Sequence, residues 1–319
     1  MKPTPGIDAT SLSKQVRAQD DLFRHVNGAW LDNTAIPEDK AIYGSFHMLA
    51  DASEEAVKLI LEEAAANPKP GVSQQIGDLY ACFLDEAKAN ELGAEPIKAD
   101  LEQVQDISSL VDATKLLGEF ERTGTSGIFG FYVDNDPNDP TRYLIHLYQG
   151  GLGLPDEAYY REDKHKEILE AYQLHVEKMF ALAGWDKDKA AAAAKTVLDF
   201  ETTLASKHWD NVATRDADKT NNPTKFAELQ KLTPTFDWNL WFEGAGINPK
   251  VLEESIVMMP SFFEGMASVY SEGNLEALKT WLSWNVISSK AAYLSQDFVD
   301  ERFAFYGTKL TGAPVNLVP

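Results

Sequence analysis

The chain has 319 residues, 44% of them hydrophobic, and 29 Lys and Arg against 50 Asp and Glu give a formal net charge of −21. It is about twice the ~150 residues of a typical domain, so one large or two smaller domains with a substantial core are admissible. The acid excess argues against nucleic acid, whose binding needs Lys/Arg fields to displace counterions, and against an anionic membrane surface.

The start, Met1 to Asp8, is polar and carries no apolar h-region, so no secretory signal is expected. No run approaches the ~18 apolar residues of a membrane span. A cytoplasmic protein is the expectation. Residues 20–30, Asp20-Asp21-Leu22-Phe23-Arg24-His25-Val26-Asn27-Gly28-Ala29-Trp30, read as a helix closed by Gly28, with a proline turn at Ile36-Pro37. Asp51 to Glu55 opens a second helix, continued by Ala56, Leu59, Ile60 and Ala64 and stopped at Asn67-Pro68-Lys69-Pro70-Gly71. Over 73–91, Ile76, Leu79, Tyr80, Phe83 and Leu84 share one face. The lone cysteine, Cys82, lies in that stretch and is expected to be a buried, inert thiol. It allows no intramolecular disulfide and no multi-cysteine zinc site.

Helices follow at 94–105 and 108–122. The pattern then changes. Gly127 to Val133 is aromatic and β-branched, a turn-rich loop spans Asp134 to Pro140, and Arg142 to Tyr148 repeats the strand chemistry. One β-hairpin over about residues 127–148 is predicted. Gln149-Gly150-Gly151-Leu152-Gly153-Leu154-Pro155 leaves it through glycines that imply close backbone approach or positive φ. Further helices are predicted at 162–184, 187–207, 249–258, 260–270, 274–289 and 294–306. Phe23, Trp30, Trp281, Trp284 and Tyr306 are read as core anchors. Residues 311–319 lose the helical pattern and read as a truncated tail. The fold class is mainly α, a large multi-helix body with one hairpin.

Local chemistry is sparse. Zinc hydrolysis typically places two imidazoles on one helical face as His-Glu-x-x-His. Of His25, His47, His146, His165, His175 and His208, no two are three or four apart and none precedes Glu. His165 and His175 lie roughly 15 Å apart along one helix, too far for one ion. Gly-x-Ser-x-Gly and phosphate-loop patterns are missing, and the Cys has no histidine signal beside it. The pairs Glu54-Glu55, Glu62-Glu63 and Glu253-Glu254 read as solvated helix faces. No catalytic residue and no metal ligand is assigned in this chain.

Several separated motifs nevertheless occur in one order. They are Phe23…Val26-Asn27-Gly28…Trp30, Ile36-Pro37…Tyr43-Gly44…Phe46, Arg142-Tyr143…Gln149-Gly150-Gly151-Leu152-Gly153-Leu154-Pro155…Tyr159-Tyr160, and Phe305-Tyr306-Gly307. In these, residues 15–310 resemble the N-terminal, non-catalytic region of the neprilysin-like zinc metallopeptidases, family M13, of soluble bacterial type. The resemblance implies a large helical lobe facing a zinc lobe across a chamber that admits peptides. Residues 1–40 would pack against the catalytic lobe and 41–310 would form the substrate chamber. The zinc lobe, with its His-Glu-x-x-His, is absent from this sequence. Zinc would serve the parent enzyme, a metalloendopeptidase, while no cofactor is expected in this chain. Oligopeptide substrates and the C-terminal catalytic lobe are the implied partners.

The same resemblance implies a peptide site just after the Ile-Pro motif. The family pattern Arg-Tyr-Gly-Asn-Phe-Asp-x-x-Arg corresponds here to Ile42-Tyr43-Gly44-Ser45-Phe46-His47-Met48-Leu49-Ala50. Tyr43, Phe46, His47 and Ile42 are the candidate substrate-binding residues. Ile42 and Ala50 replace both arginines, which are suited to gripping a peptide's terminal carboxylate, so endopeptidase specificity is expected. A stand-alone, inactive peptide-binding module and one piece of a split enzyme are the alternatives.

Overall fold

The computed structural model describes residues 12–37, 40 and 42–314. The expectations for the polar start and for Val315–Pro319 of the tail lie outside the described residues. The chain forms two compact units that divide between Asp78 and Leu79.

In the first unit the Asp21 carboxylate accepts the Arg24 N–H at 2.8 Å and so starts α1 (Leu22–Asn33). The helix runs through Gly28 instead of ending there. A terminating glycine adopts positive φ, and Gly28 does not; it is buried within the helix. Phe23, expected in the core, is 63% exposed, while Trp30 is half-buried. α2 (Ser45–Ala66) is followed by α3 (Val72–Phe83), inside which the unit boundary falls. A Cβ on Gly77 would stand 2.5 Å from the Ala64 carbonyl oxygen, so the two backbones touch there.

That contact explains a correction. Cys82 is exposed, as are Leu79 and Phe83. At ~100° per residue Cys82 stands roughly 140° around the helix from Gly77, away from the side that packs on α2. The periodicity over 73–91 is also interrupted. Asp85 accepts the Lys88 N–H at 3.0 Å and starts a separate α4 (Glu86–Leu92).

The second unit continues with α5 (Lys98–Gln105) and α6 (Leu110–Thr123), the latter capped by Ser109 and ended by Gly124 at φ +75°. β1 (Phe129–Asp136) and β2 (Asp139–Gln149) form the predicted hairpin. α7 (Ala158–Arg161), α8 (Lys166–Leu182) and α9 (Lys187–Ala205) come next. α10 (Ala217–Thr220), β3 (Pro223–Lys225), α11 (Phe226–Leu232) and α12 (Trp238–Ala245) occupy a stretch given no element from its sequence. β4 (Glu254–Val257), α13 (Pro260–Val269), α14 (Leu275–Lys290) and α15 (Gln296–Arg302) complete the unit. α15 widens into a π-helical segment at Phe303–Leu310.

The hairpin is therefore part of a four-stranded sheet in the order β1-β2-β4-β3. β1 and β2 are antiparallel, β4 joins β2 in parallel through Ile145↔Ser255 to Leu147↔Val257, and β3 pairs antiparallel with β4. The helix predicted over 249–258 is instead a short 3-10 turn, Pro249–Leu252, and then β4. Ile256 and Val257 are fully buried, and cross-strand packing outweighs local propensity for β-branched residues in such a place. Glu254 is accordingly a strand residue ion-paired to Arg142 at 2.8 Å, and the Glu253-Glu254 pair is not a helix face.

The core gathers around the hairpin's inner face. The Phe129 ring lies 5.0–6.0 Å from Trp238, Phe236, Trp241 and Phe263, spacings at which aromatic pairs attract. Trp281 and Trp284 are buried as expected. α6 and α12 meet backbone to backbone: a Cβ on Gly118 would stand 2.2 Å from the Trp241 carbonyl oxygen, and one on Gly244 2.1 Å from that of Lys115.

Candidate functional site

His47 stands in the first turn of α2, and its ring lies 6.1 Å from that of Tyr43, which precedes the helix across the extended Gly44. On its other side Tyr43 stacks on Trp30, with centroids 6.4 Å apart and planes at 20°. The next turn of the same face supplies Asp51, whose Oδ2 accepts the Tyr43 hydroxyl at 3.0 Å. The Lys40 ammonium bonds the other carboxylate oxygen and sits 5.2 Å from the Tyr43 ring centre. Lys40 in particular, with Tyr43 and His47, holds Asp51 below the usual carboxylate range.

An open groove of about 840 Å³ runs along this face, lined by Pro37, Lys40, His47, Ala50, Asp51, Glu54, Glu55 and Lys58. Four predicted residues are thus sorted in pairs. His47 lines the groove and Tyr43 joins it through Asp51. Phe46, 87% exposed, and Ile42, 67% exposed, do not line it. Sequence reading missed Lys40 and Asp51. Asp51 was within reach from His47, four positions earlier on the same face of α2.

In the second unit the Gln149–Pro155 motif is held by reciprocal contacts. The Gln149 side chain donates to the Trp209 carbonyl at 3.0 Å and accepts the Trp209 N–H at 2.8 Å. His208 Nε2–H donates to the Gly150 carbonyl at 3.0 Å, and burial pushes that imidazole down to about 4. Gly151 adopts φ +84°, and a Cβ on Gly153 would stand 1.9 Å from the Tyr172 hydroxyl, so both glycines are required.

Beneath Gly153 lies the fully buried Glu201 of α9. Its Oε2 accepts the Tyr160 hydroxyl at 2.6 Å and the Gly153 N–H at 3.3 Å, and its Oε1 accepts the Tyr172 hydroxyl at 3.1 Å. Desolvation raises its carboxyl to about 7 against these stabilising donors. The half-buried Tyr306 hydroxyl donates to the Gly153 carbonyl at 3.1 Å. The sequence carried a signal here too. Ala190, Ala194, Val197, Glu201 and Leu204 form one helical stripe, in which Glu201 is the single charge.

Among the described residues, no three His, Cys, Asp or Glu side chains come together as a metal-holding group. The imidazoles are engaged elsewhere. His25 bonds the Val16 carbonyl at 2.7 Å, His146 that of Asn135 at 3.1 Å, and His175 the Glu301 carboxylate at 3.0 Å, while His165 stacks on Tyr159 at 4.0 Å. These residues do not fit a zinc ion, and no step at a metal is assigned to them. Among the described residues no helix is long and apolar enough to cross a membrane.

Comparison with known proteins follows the same lines. The model of peptidase family M13 matches residues 18–319. Endothelin-converting enzyme 1 of Cavia porcellus is 26% identical over 95% of this chain and 42% of its own length. The inhibitor-bound crystal structure of the Mycobacterium tuberculosis zinc metalloprotease Zmp1 superposes with a TM-score of 0.86 at 40% identity, covering 97% of this chain and 47% of that one. PepO from Lactobacillus rhamnosis shares the fold, with a TM-score of 0.73 at 20% identity over 94% of this chain and 47% of its own. The chain spans about half the length of each of these relatives.

Proposed function

We propose that this chain, which belongs to peptidase family M13, is the non-catalytic helical part of a zinc metalloendopeptidase that hydrolyses oligopeptides. The observation that carries the reading is a family match along residues 18–319 by a chain that spans under half of its relatives. The chemistry of such an enzyme, water activated by zinc and attacking a peptide carbonyl, belongs to residues outside this sequence. This chain's share is to wall the chamber, with residues 41–310, and to hold the peptide. Residues 1–40 pack against the catalytic lobe.

The peptide contacts are assigned to Tyr43, Phe46, His47 and Ile42. Supporting this, Tyr43 is fixed by Trp30 and Asp51 while Phe46 stays free to meet a ligand. A cytoplasmic site of action is part of the reading, supported by a single cysteine in 319 residues.

The test compares the product of the longest reading frame containing this chain with the 319-residue chain alone. Stoichiometric zinc and chelator-sensitive cleavage of oligopeptides are expected for the former, and neither for the latter. Cleavage by the chain alone would overturn the non-catalytic assignment. A long product that binds no zinc and cuts no peptide would overturn the enzymatic one.

A further inference from the structure

Every polar contact of the Glu201 carboxyl comes from a donor whose direction is set elsewhere. The Tyr160 hydroxyl oxygen already accepts the Leu154 N–H at 3.1 Å, and the Tyr172 hydroxyl oxygen accepts the Trp284 indole N–H at 2.9 Å. With those roles filled, both hydroxyl protons turn to Glu201, and the Gly153 N–H has no choice. The site is built for an acceptor on both oxygens, yet only dipoles hold it there.

We propose that Glu201 is a proton-operated latch on the Gly150–Pro155 segment. As a carboxylate it gathers the Tyr160, Tyr172 and Gly153 donors; as a carboxylic acid it turns one of them away and frees the backbone at Gly153 and Leu154. The step is uptake of one solvent proton by one carboxylate oxygen, and no other covalent bond changes. The latch ties the segment to α7 through Tyr160, to α8 through Tyr172 and to the π-helical segment through Tyr306, so its release is felt in three elements at once.

The titratable neighbours are those three tyrosines, all pushed upward by burial and by Glu201 itself, so they stay neutral throughout. Arg302 lies 5.9 Å from the Tyr306 ring centre, and His175 packs on Trp284 and Tyr306 while paired to Glu301. Trp281, the remaining neighbour, offers an indole N–H without a hydrogen bond of normal geometry. Desolvation places the Glu201 transition near neutrality.

The experiment follows the 319-residue chain between about pH 5 and pH 8, across the expected transition. Difference infrared should show a buried protonated carboxyl growing in as pH falls, absent from Glu201→Gln. Over the same range the amide protection factors of Gly153 and Leu154 should drop about fivefold, the ordinary worth of one hydrogen bond, and Glu201→Gln should be locked in the released state. Tyr160→Phe, which keeps the charge and removes one donor, should move the midpoint upward and serves if the Gln variant does not fold. A carboxyl that does not titrate in this range, or that titrates without changing protection at Gly153 and Leu154, would overturn the latch. So would an unmoved midpoint in Tyr160→Phe.

Discussion

The Arg142 guanidinium lies 2.6 Å from the carboxylate of Asp136, whose side chain is 1% exposed, and its other arm reaches Glu254 at 2.8 Å. One cation thus joins the hairpin turn to the first residue of β4. The Asn138 N–H, followed by Arg142, keeps Asp136 below the usual carboxylate range. A carboxylate depressed on folding contributes stability that is present above its unfolded value and lost as pH falls through the folded one. Arg142→Ala should lower the thermal midpoint at neutral pH, and the difference from wild type should shrink in acid. A difference independent of pH would show that the ion pair is not what Arg142 contributes.

Gly118 and Gly244 predict a steric cost of another kind. Their missing side chains let α6 and α12 touch, and a methyl group at either would meet a carbonyl oxygen near 2 Å. Gly118→Ala or Gly244→Ala should each destabilise by about 1–3 kcal/mol, the usual cost of overpacking, in urea melts. The double variant should fall short of the sum, since one separation of the helices relieves both clashes.

On the proposed reading, Ile42→Arg in the full-length protein should shift preference toward peptides with a free terminal carboxylate. A guanidinium fork grips that group bidentately, and Ile42 is exposed enough to be replaced without strain. Paired kcat/KM values for free and amidated peptides read the shift. An unchanged ratio would remove residue 42 from the proposed peptide site.

His208 should remain neutral at pH 5. Its folded value near 4 lies below the 6.5 of an unperturbed imidazole, so the unfolded chain takes up a proton first and stability falls as pH drops from about 6.5 toward 4. The loss is up to roughly 3 kcal/mol. Glu201 acts with the opposite sign, gaining stability as pH falls from about 7. Measuring melts in Glu201→Gln, with and without His208→Gln, isolates the imidazole. A slope unaltered by the second substitution would contradict its burial as a neutral ring.

Cys82 should react with a maleimide in the folded chain at close to the rate of the denatured one, because its thiol is exposed. A thiol that labels only after denaturant is added would contradict that exposure.

Helix positions were legible in the spans 108–122 and 187–207, which the structure fills with α6 and α9, started by the Ser109 and Asp186 caps. They failed where distant partners decide. β4 reads as helix until Ile145 to Leu147 supply its ladder. Cys82 reads as core until Gly77 shows which side of α3 meets α2. At the site, the aromatic motif residues could be named from family pattern, but Lys40 joins Asp51 across eleven positions, from ahead of α2 into its second turn, and no local period encodes that.

The parallel pairing of β2 with β4 also bears on how the chain reaches its fold. Ile145 and Ser255 are 110 positions apart, yet their strands share only three paired positions. Closing so long a loop costs chain entropy before so small a ladder repays it. The intervening helices must therefore be largely assembled first, and the sheet closes late. Substitutions in β4 should then mainly speed unfolding and leave the refolding rate nearly untouched.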